Sequence, residues 1–287
     1  MRFGLVGSGF WATTVHGPGL IAHPEVELVG LWGRDLQRSS VAAAQLRVPS
    51  VVSFEALVES VDALAFAVPP DVQVLLATKA ASAGRHLLLE KPVALDSSSA
   101  QSLTAAVGAT GVSTIVFFTA RFSPGLATWF ETLAGGDWEA GTYVELGSIF
   151  QPGSPYAGST WRRERGALWD IGPHALATLT AALGPAASGR LVRGRSDIVN
   201  VSTIHANGKT GSALLALDAP PESRYRSAGF YGSSGVSLRP EGPPDVLEAY
   251  GRAVDALVAS TAGTPHPCDA EFGAQVVNLL ESLERQL

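Results

Sequence analysis

Cysteine is almost missing from this chain of 287 residues. Cys268 stands alone, which excludes an intrachain disulfide framework and any metal site built from cysteines. Lysine is nearly as scarce: Lys79, Lys91 and Lys209 are the only ones, so arginine carries nearly all the positive charge. Charged residues make up only 16% of the chain, with a net charge of −6 and a pI near 5.5. A nucleic-acid surface needs a basic patch, so that balance argues against one. No run of Lys or Arg suggests attraction to a membrane surface. No apolar stretch reaches the roughly 18–20 residues that span a bilayer. Met1-Arg2 passes at once into Phe3–Gly7, which reads as a buried strand entering a turn and not as a signal peptide. A cytoplasmic location is therefore expected. Hydrophobic residues, by contrast, make up 46% of the chain, enough for a sizeable core, and the length suits two ordinary domains or one large one.

The first 120 residues alternate between apolar strands and helical segments. Strands are expected at Arg2–Val6, Glu27–Trp32, Ala63–Val68, His86–Glu90 and Ser113–Thr119. Helices are expected at Phe10–Ala22, interrupted by Pro18, and at Leu36–Leu46, Phe54–Ser60, Asp71–Ala83 and Ser97–Val107. This spacing implies an α/β, doubly wound, parallel sheet, and the continuously apolar strands fit a sheet covered on both faces. After Arg121 the rhythm changes. A helix at Pro124–Leu133, a strand at Thr142–Phe150 and a polar loop from 151 to 166 precede a helix at Asp170–Leu183. Strands at Asp197–Ala206, Thr210–Leu217 and Arg224–Tyr231 follow, with Asn207-Gly208 as a hairpin signal between the first two. Helices at Asp245–Ser260 and Asp269–Leu287 finish the chain. The expected architecture is a dinucleotide-type domain over 1–120 and an α+β domain with an open, mainly antiparallel sheet over 121–287.

Gly7-Ser8-Gly9-Phe10-Trp11-Ala12 follows the first strand and opens the first helix, matching G-x-G-x-x-G/A. The first glycine makes the tight turn, the second lets backbone approach a pyrophosphate, and Ala12 allows close packing of helix on strand. Helix N-terminal N–H groups would face the phosphates. At the end of the second strand, Gly33 stands where an NAD-binding domain usually has an acid for the ribose hydroxyls, and Arg34 follows. A guanidinium there suits a 2′-phosphate, so NADP is expected over NAD; Asp35 is the alternative ribose partner. Glu90-Lys91-Pro92 stands at the carboxyl end of the fourth strand, where open parallel sheets bind ligands. Asp170 and His174 are four residues apart, a spacing that places a carboxylate beside an imidazole on one helical face and suits a general base. An N-capping aspartate with an incidental histidine would leave the same spacing.

In combination these motifs resemble the Gfo/Idh/MocA family of sugar and inositol oxidoreductases. The resemblance runs through the Gly7–Ala12 turn and His16, Ala67-Val68-Pro69-Pro70-Asp71, Ala83-Gly84-Arg85-His86, Glu90-Lys91-Pro92, Arg121-Phe122-Ser123-Pro124, Trp161-Arg162 and Asp170–His174. It implies a Rossmann domain followed by an open-sheet α/β domain. It also implies that Lys91, Asp170 and His174 line the place where substrate meets the nicotinamide. Pro69, Pro70, Glu90 and Lys91 would then border the cofactor; Arg121, Trp161 and Arg162 are candidates for substrate contact or, equally, for a salt-bridged or packed domain junction. Two features depart from the family pattern: the second domain is short, and the glycine-rich segment before the aspartate is reduced to Arg165-Gly166-Ala167.

The expected activity is hydride transfer between NAD(P) and a hydroxyl or ketone carbon of a sugar, cyclitol or small polyol. The same chemistry on an aromatic dihydrodiol, an NAD(P)-sensing protein without turnover, and a redox-assisted glycosidase are the competing readings. An open sheet face would expose a large apolar patch unless covered, so a homodimer or homotetramer is expected.

Overall fold

A computed structural model describes residues 1–242 and 245–286. Contacts divide the chain into two compact units, Met1–Ser123 with Asp245–Gln275, and Pro124–Pro244 with Val276–Leu287. The break after Ser123 lies close to the boundary read at 120. The stretch from 245 to 275, placed with the second domain from sequence order, packs with the first.

The first unit is built on five parallel strands, β1 (Arg2–Val6), β2 (Glu27–Trp32), β3 (Ala63–Phe66), β4 (His86–Leu89) and β5 (Thr114–Val116), in the order β2-β1-β3-β4-β5. β3 is buried along its whole length, and β1 and β4 are buried beyond their first residues, Arg2 and His86, as strands covered on both faces must be. Phe10–Ala22 is not one uniform helix. A π-helical turn at Ala12–His16 leads into α1 (Gly17–Ala22). Pro18 has no N–H for the helical ladder; just before it the Gly17 N–H reaches back to the Ala12 carbonyl, one residue further than in an α-helix.

Within Met1–Ser123 the other helices are α2 (Leu36–Leu46), α3 (Phe54–Glu59), α4 (Pro70–Ser82), α5 (Ser97–Thr110) and the short α6 (Thr119–Phe122). Asp35, Ser53 and Asp96 cap α2, α3 and α5 through side-chain oxygens that accept backbone N–H groups.

The second unit carries a six-stranded sheet, β6 (Ala140–Leu146), β7 (Ala186–Arg193), β8 (Val199–His205), β9 (Thr210–Ala216), β10 (Tyr225–Gly232) and β11 (Gly235–Leu238). The order is β11-β10-β6-β9-β8-β7, antiparallel throughout except for the parallel pair β6–β9. β7 and β11 lie at the edges and were not foreseen; both are largely exposed and lack the apolar alternation of the inner strands. Helices α7 (Ala127–Gly135), α8 (Thr160–Asp170) and α9 (Gly172–Leu183) belong to this unit. α8 occupies part of the segment read as a polar loop.

One face of this sheet turns Gly141, Ala213, Leu215 and Phe230 toward the helices, while the other leaves Val192, Ile204, Tyr225, Tyr231, Val236 and Leu238 exposed. The last helices, α10 (Val246–Thr261) and α11 (Ala270–Glu284), complete the fold. Leu287, the expected end of α11, lies outside the described residues. In the first unit Tyr250 of α10 is fully buried, 4.6 Å from the His16 ring and 5.2 Å from that of Phe117.

Candidate active site

The parallel sheet brings most of the cofactor candidates to one edge. Gly7–Ala12 follows β1, Gly33-Arg34 follows β2, Pro69-Pro70 lies just beyond β3, and Glu90-Lys91 follows β4. Gly7 has φ 127°, and a Cβ there would stand 2.9 Å from the Ala67 carbonyl carbon. This turn therefore needs glycine both for its backbone angle and for its passage beside β3. Gly9 is different. A Cβ at that position would meet no protein atom within 4 Å, so the small residue keeps space open outside the protein. Ala12 is fully buried and Phe10 half exposed, with Ser8 and Trp11 between. A turn that leaves room over its second glycine fits a bound pyrophosphate.

At the end of β2, a Cβ on Gly33 would stand 2.6 Å from Ser39 Oγ and 3.3 Å from Ser8 Oγ, leaving no room for the usual acid without a shift. Asp35 is engaged as the N-cap of α2, its Oδ1 accepting the Arg38 N–H at 3.0 Å. Arg34 is exposed. Beside the glycine turn lies a cleft of 380 Å³ lined by Ser8, Gly9, Phe10, Gln37, Arg38 and Val41, among others. Arg38 was not singled out in the sequence; its signal is its place four residues after Arg34.

The loop carrying Lys91 is held from inside. Gln73 is fully buried, and its carboxamide donates to the carbonyls of Glu90 (2.7 Å) and Pro92 (3.3 Å) while accepting the Glu90 N–H (2.8 Å). The Glu90 carboxylate pairs through Oε1 with the Nε2 of the buried His16 at 2.9 Å and accepts the Lys91 N–H through Oε2 at 3.2 Å. Gln73 was missed because a buried amide in a helix carries no sequence mark. Lys91 is part buried, and the Lys91-Pro92 peptide is cis. Arg121 lies in α6, next to Phe122, whose ring stacks on His266 at 4.9 Å. Burial, with Arg121 close by, holds the His266 imidazole below its ordinary pKa.

In the second unit, the segment expected as one helix from Asp170 is two. α8 ends at Asp170, Ile171 makes the turn, and α9 starts at Gly172 with Pro173 in its first turn. Gly166, at φ 66°, breaks α8 internally. Asp170 is 8% exposed, and its Oδ2 accepts Arg162 Nε at 3.1 Å. The Arg162 guanidinium also donates to Ser159 and lies 4.5 Å from the Trp161 ring centroid and 4.7 Å from that of Tyr156. Arg162, a candidate substrate contact, thus holds Asp170, with Trp161 against its guanidinium. His174 is part buried in the first turn of α9. Trp169 Nε1 and Arg165 Nη1 both donate to Glu284, which ties the end of α8 to α11.

The model of the Gfo/Idh/MocA oxidoreductase family, described as an NAD-binding Rossmann fold, matches residues 1–118. Among curated proteins, the chain is 31% identical over 190 residues to a dTDP-3,4-didehydro-2,6-dideoxy-alpha-D-glucose 3-reductase of Streptomyces antibioticus, covering 64% of this chain and 57% of that one. The chain spans about half the length of several curated relatives that it matches. Among solved structures, UDP-N-acetylglucosamine 3-dehydrogenase GnnA of Acidithiobacillus ferrooxidans superposes with a TM-score of 0.82 at 21% identity, over 100% of this chain and 97% of the other. The WlbA dehydrogenase of Bordetella pertussis, in complex with NADH and UDP-GlcNAcA, gives 0.83 at 21% identity, over 100% and 96%. At these identities the superpositions establish the fold.

Proposed function

We propose that this chain, whose residues 1–118 match the NAD-binding Rossmann fold of the Gfo/Idh/MocA oxidoreductase family, moves hydride between NADP(H) and a hydroxyl or ketone carbon of a sugar, cyclitol or similar polyol. The single observation that carries the reading is the glycine turn, where Gly7 is needed by the fold and Gly9 keeps space outside it. The dTDP-hexose reductase and UDP-hexose dehydrogenase activities in the names of relatives support a sugar substrate.

The nicotinamide, when bound, supplies the hydride acceptor or donor. The residues of this chain do the rest. Arg34 and Arg38 provide positive charge for a 2′-phosphate, in a place where Gly33 leaves no acid and Asp35 serves as a cap. In the oxidation direction His174 takes the hydroxyl proton, the imidazole being the common general base for a hydroxyl. Asp170, oriented by Arg162, holds the charge that balances the imidazolium. The Lys91 ammonium hydrogen-bonds the substrate oxygen and stabilises negative charge developing there. Gln73 and the His16–Glu90 pair fix the backbone from which Lys91 extends.

Substituting His174→Ala and Lys91→Ala tests these roles. Each should lower kcat by about a hundredfold or more. NADPH affinity, measured by fluorescence titration, should stay within about threefold of wild type, since the pyrophosphate sits on the Gly7–Ala12 turn and neither side chain belongs to it. Near-normal turnover in both variants would remove the assignment. Loss confined to Lys91→Ala would transfer the general-base role to the lysine.

A further inference from the structure

The helix-covered face of the second sheet holds a charged cluster that the roles above do not use. In β6, Gly141, Tyr143 and Glu145 alternate onto one face, the face that packs on α9, because a Cβ at Gly141 would touch Leu179 and Phe230. Glu145 is flanked in register by Leu215 of β9 and by Arg226 of β10. Gly172, at the start of α9, lies over Leu215. The helical turn that carries His174 therefore stands above the strand next to Glu145, at the same end of the sheet.

Both oxygens of Glu145 are taken. Oε2 accepts the phenol of the buried Tyr143, and Oε1 pairs with Arg226 Nη2. A second guanidinium, Arg239, follows β11; its backbone N–H bonds to Ala228 in β10, and its Nη1 donates to the Pro240 carbonyl at 3.0 Å. Arg239 stands opposite Ala228, two residues along β10 from Arg226, so both arginines lie on the face of Glu145. Burial and the charge of Arg226 hold Arg239 below the usual arginine range, while burial and Glu145 hold the Tyr143 phenol well above its own. The phenol is therefore neutral, and two cations share one anion. A cross-strand structural pair needs one arginine for one glutamate. A second, part-buried guanidinium beside the first raises the energy of the site unless an anion joins it.

We propose that Tyr143, Glu145, Arg226 and Arg239 form an anion subsite, in which Arg239 and Arg226 receive a phosphoryl group of the substrate next to the turn bearing His174. The substrate class is then a phosphorylated sugar, free or nucleotide-linked, in place of a neutral polyol; this deepens the oxidoreductase reading and rests on it. Guanidinium forks match phosphate oxygens in pairs, and the hydrogen bonds are charge-assisted. Tyr143 and Glu145 keep Arg226 aimed.

The test is calorimetric titration of inorganic pyrophosphate into the wild-type chain and into Arg239→Gln, Arg239→Lys and Arg190→Gln, the last an exposed arginine of β7 in the same unit. Arg239→Gln should bind at least about tenfold more weakly, Arg239→Lys should fall between, and Arg190→Gln should match wild type. Pyrophosphate taken up at the glycine turn of the first unit would be the same in all four proteins, so the difference reads the cluster alone. The wild-type chain gives a second readout: pyrophosphate should slow modification of Arg239 by phenylglyoxal, followed by mass spectrometry, and so tests the idea even where Arg239→Gln does not fold. A glucose and glucose 1-phosphate pair, with a UDP-linked sugar as the third arm, separates simple phosphate from nucleotide recognition in the same titration. Unchanged affinity in Arg239→Gln, or no protection of Arg239 at millimolar pyrophosphate, would overturn the subsite. Loss of pyrophosphate binding in Arg239→Gln in a protein that binds no NADPH would uphold the subsite and reject the oxidoreductase reading.

Discussion

Alanine substitutions at the two glycines of the first turn should separate fold from ligand. Gly7 occupies φ 127° and passes against the backbone of Ala67. An alanine there costs about 1–3 kcal/mol for the backbone angle alone. The clash adds to this, because a main-chain carbonyl cannot rotate out of the way. The sum is a large part of the ~5–15 kcal/mol that stabilises a typical domain. Gly9 has no such constraint, since its Cβ would enter open space. Gly9→Ala should therefore change stability by less than about 0.5 kcal/mol. If the open space is the path of a pyrophosphate, however, the added methyl should push the ligand away from the backbone. A loss of only 1.4 kcal/mol is tenfold in affinity. The assay is thermal unfolding of wild type, Gly7→Ala and Gly9→Ala, each followed by NADPH titration. The expected pattern is a strongly destabilised Gly7→Ala, and a Gly9→Ala that melts like wild type but binds NADPH at least about tenfold more weakly. A Gly9→Ala protein that binds NADPH as tightly as wild type would refute the reasoning.

The arginines after β2 should make NADP(H) bind about ten- to a hundredfold more tightly than NAD(H), and Arg34→Ala should remove most of the difference; equal calorimetric affinities in wild type would point to a cofactor site indifferent to the 2′-phosphate. The exposed face formed by Ile204, Tyr225, Tyr231 and Leu238 should be covered by a second copy, so light scattering after size exclusion should give a dimer or larger species at micromolar protein, and a strict monomer would contradict this. His205 is 1% exposed, with Nδ1–H donating to the Gly184 carbonyl at 2.6 Å, and burial lowers its pKa below 6.5. Its unfolded state thus binds the proton more readily, so its contribution is complete above pH 6.5 and is lost as pH falls below it. The melting temperature of His205→Gln should accordingly decline less steeply than that of wild type on acidification below pH 6.5; parallel curves would exclude His205 as a source of acid sensitivity.

Much of the first unit could be read in the sequence because its signals are local. Apolar strands such as Ala63–Phe66, each closed by a helix start, leave little choice of topology, and the glycine turn marks the cofactor end. Other features depend on distant packing. Tyr250 returns to His16 and Phe117 from more than a hundred residues away, which is why the stretch from 245 to 275 joins the first unit against its order in the chain. The edge strands β7 and β11 have too little apolar alternation to be recognised. Among the candidate residues, Lys91, Asp170 and His174 stood out by residue type and spacing, but their supports did not. Gln73 is one amide in an apolar helix, and Arg162 showed its tie to Asp170 only once α8 was seen to run from Thr160 to Asp170. The expected Asp170–His174 helical face became a junction of two helices at Ile171 because Pro173 in the first turn of α9 lacks the N–H that a continuous helix would use.

Net conversion of the nicotinamide is the most direct measure of the central claim. Wild-type protein should be incubated with NADPH and a panel of keto sugars, and with NADP and the corresponding hydroxy sugars, while nicotinamide absorbance is recorded. The account predicts stoichiometric loss of NADPH or gain of NADPH with at least one member of the panel, abolished in His174→Ala. Tight NADPH binding with no net oxidation or reduction across neutral, phosphorylated and nucleotide-linked sugars would contradict it and favour a cofactor-sensing or redox-recycling role.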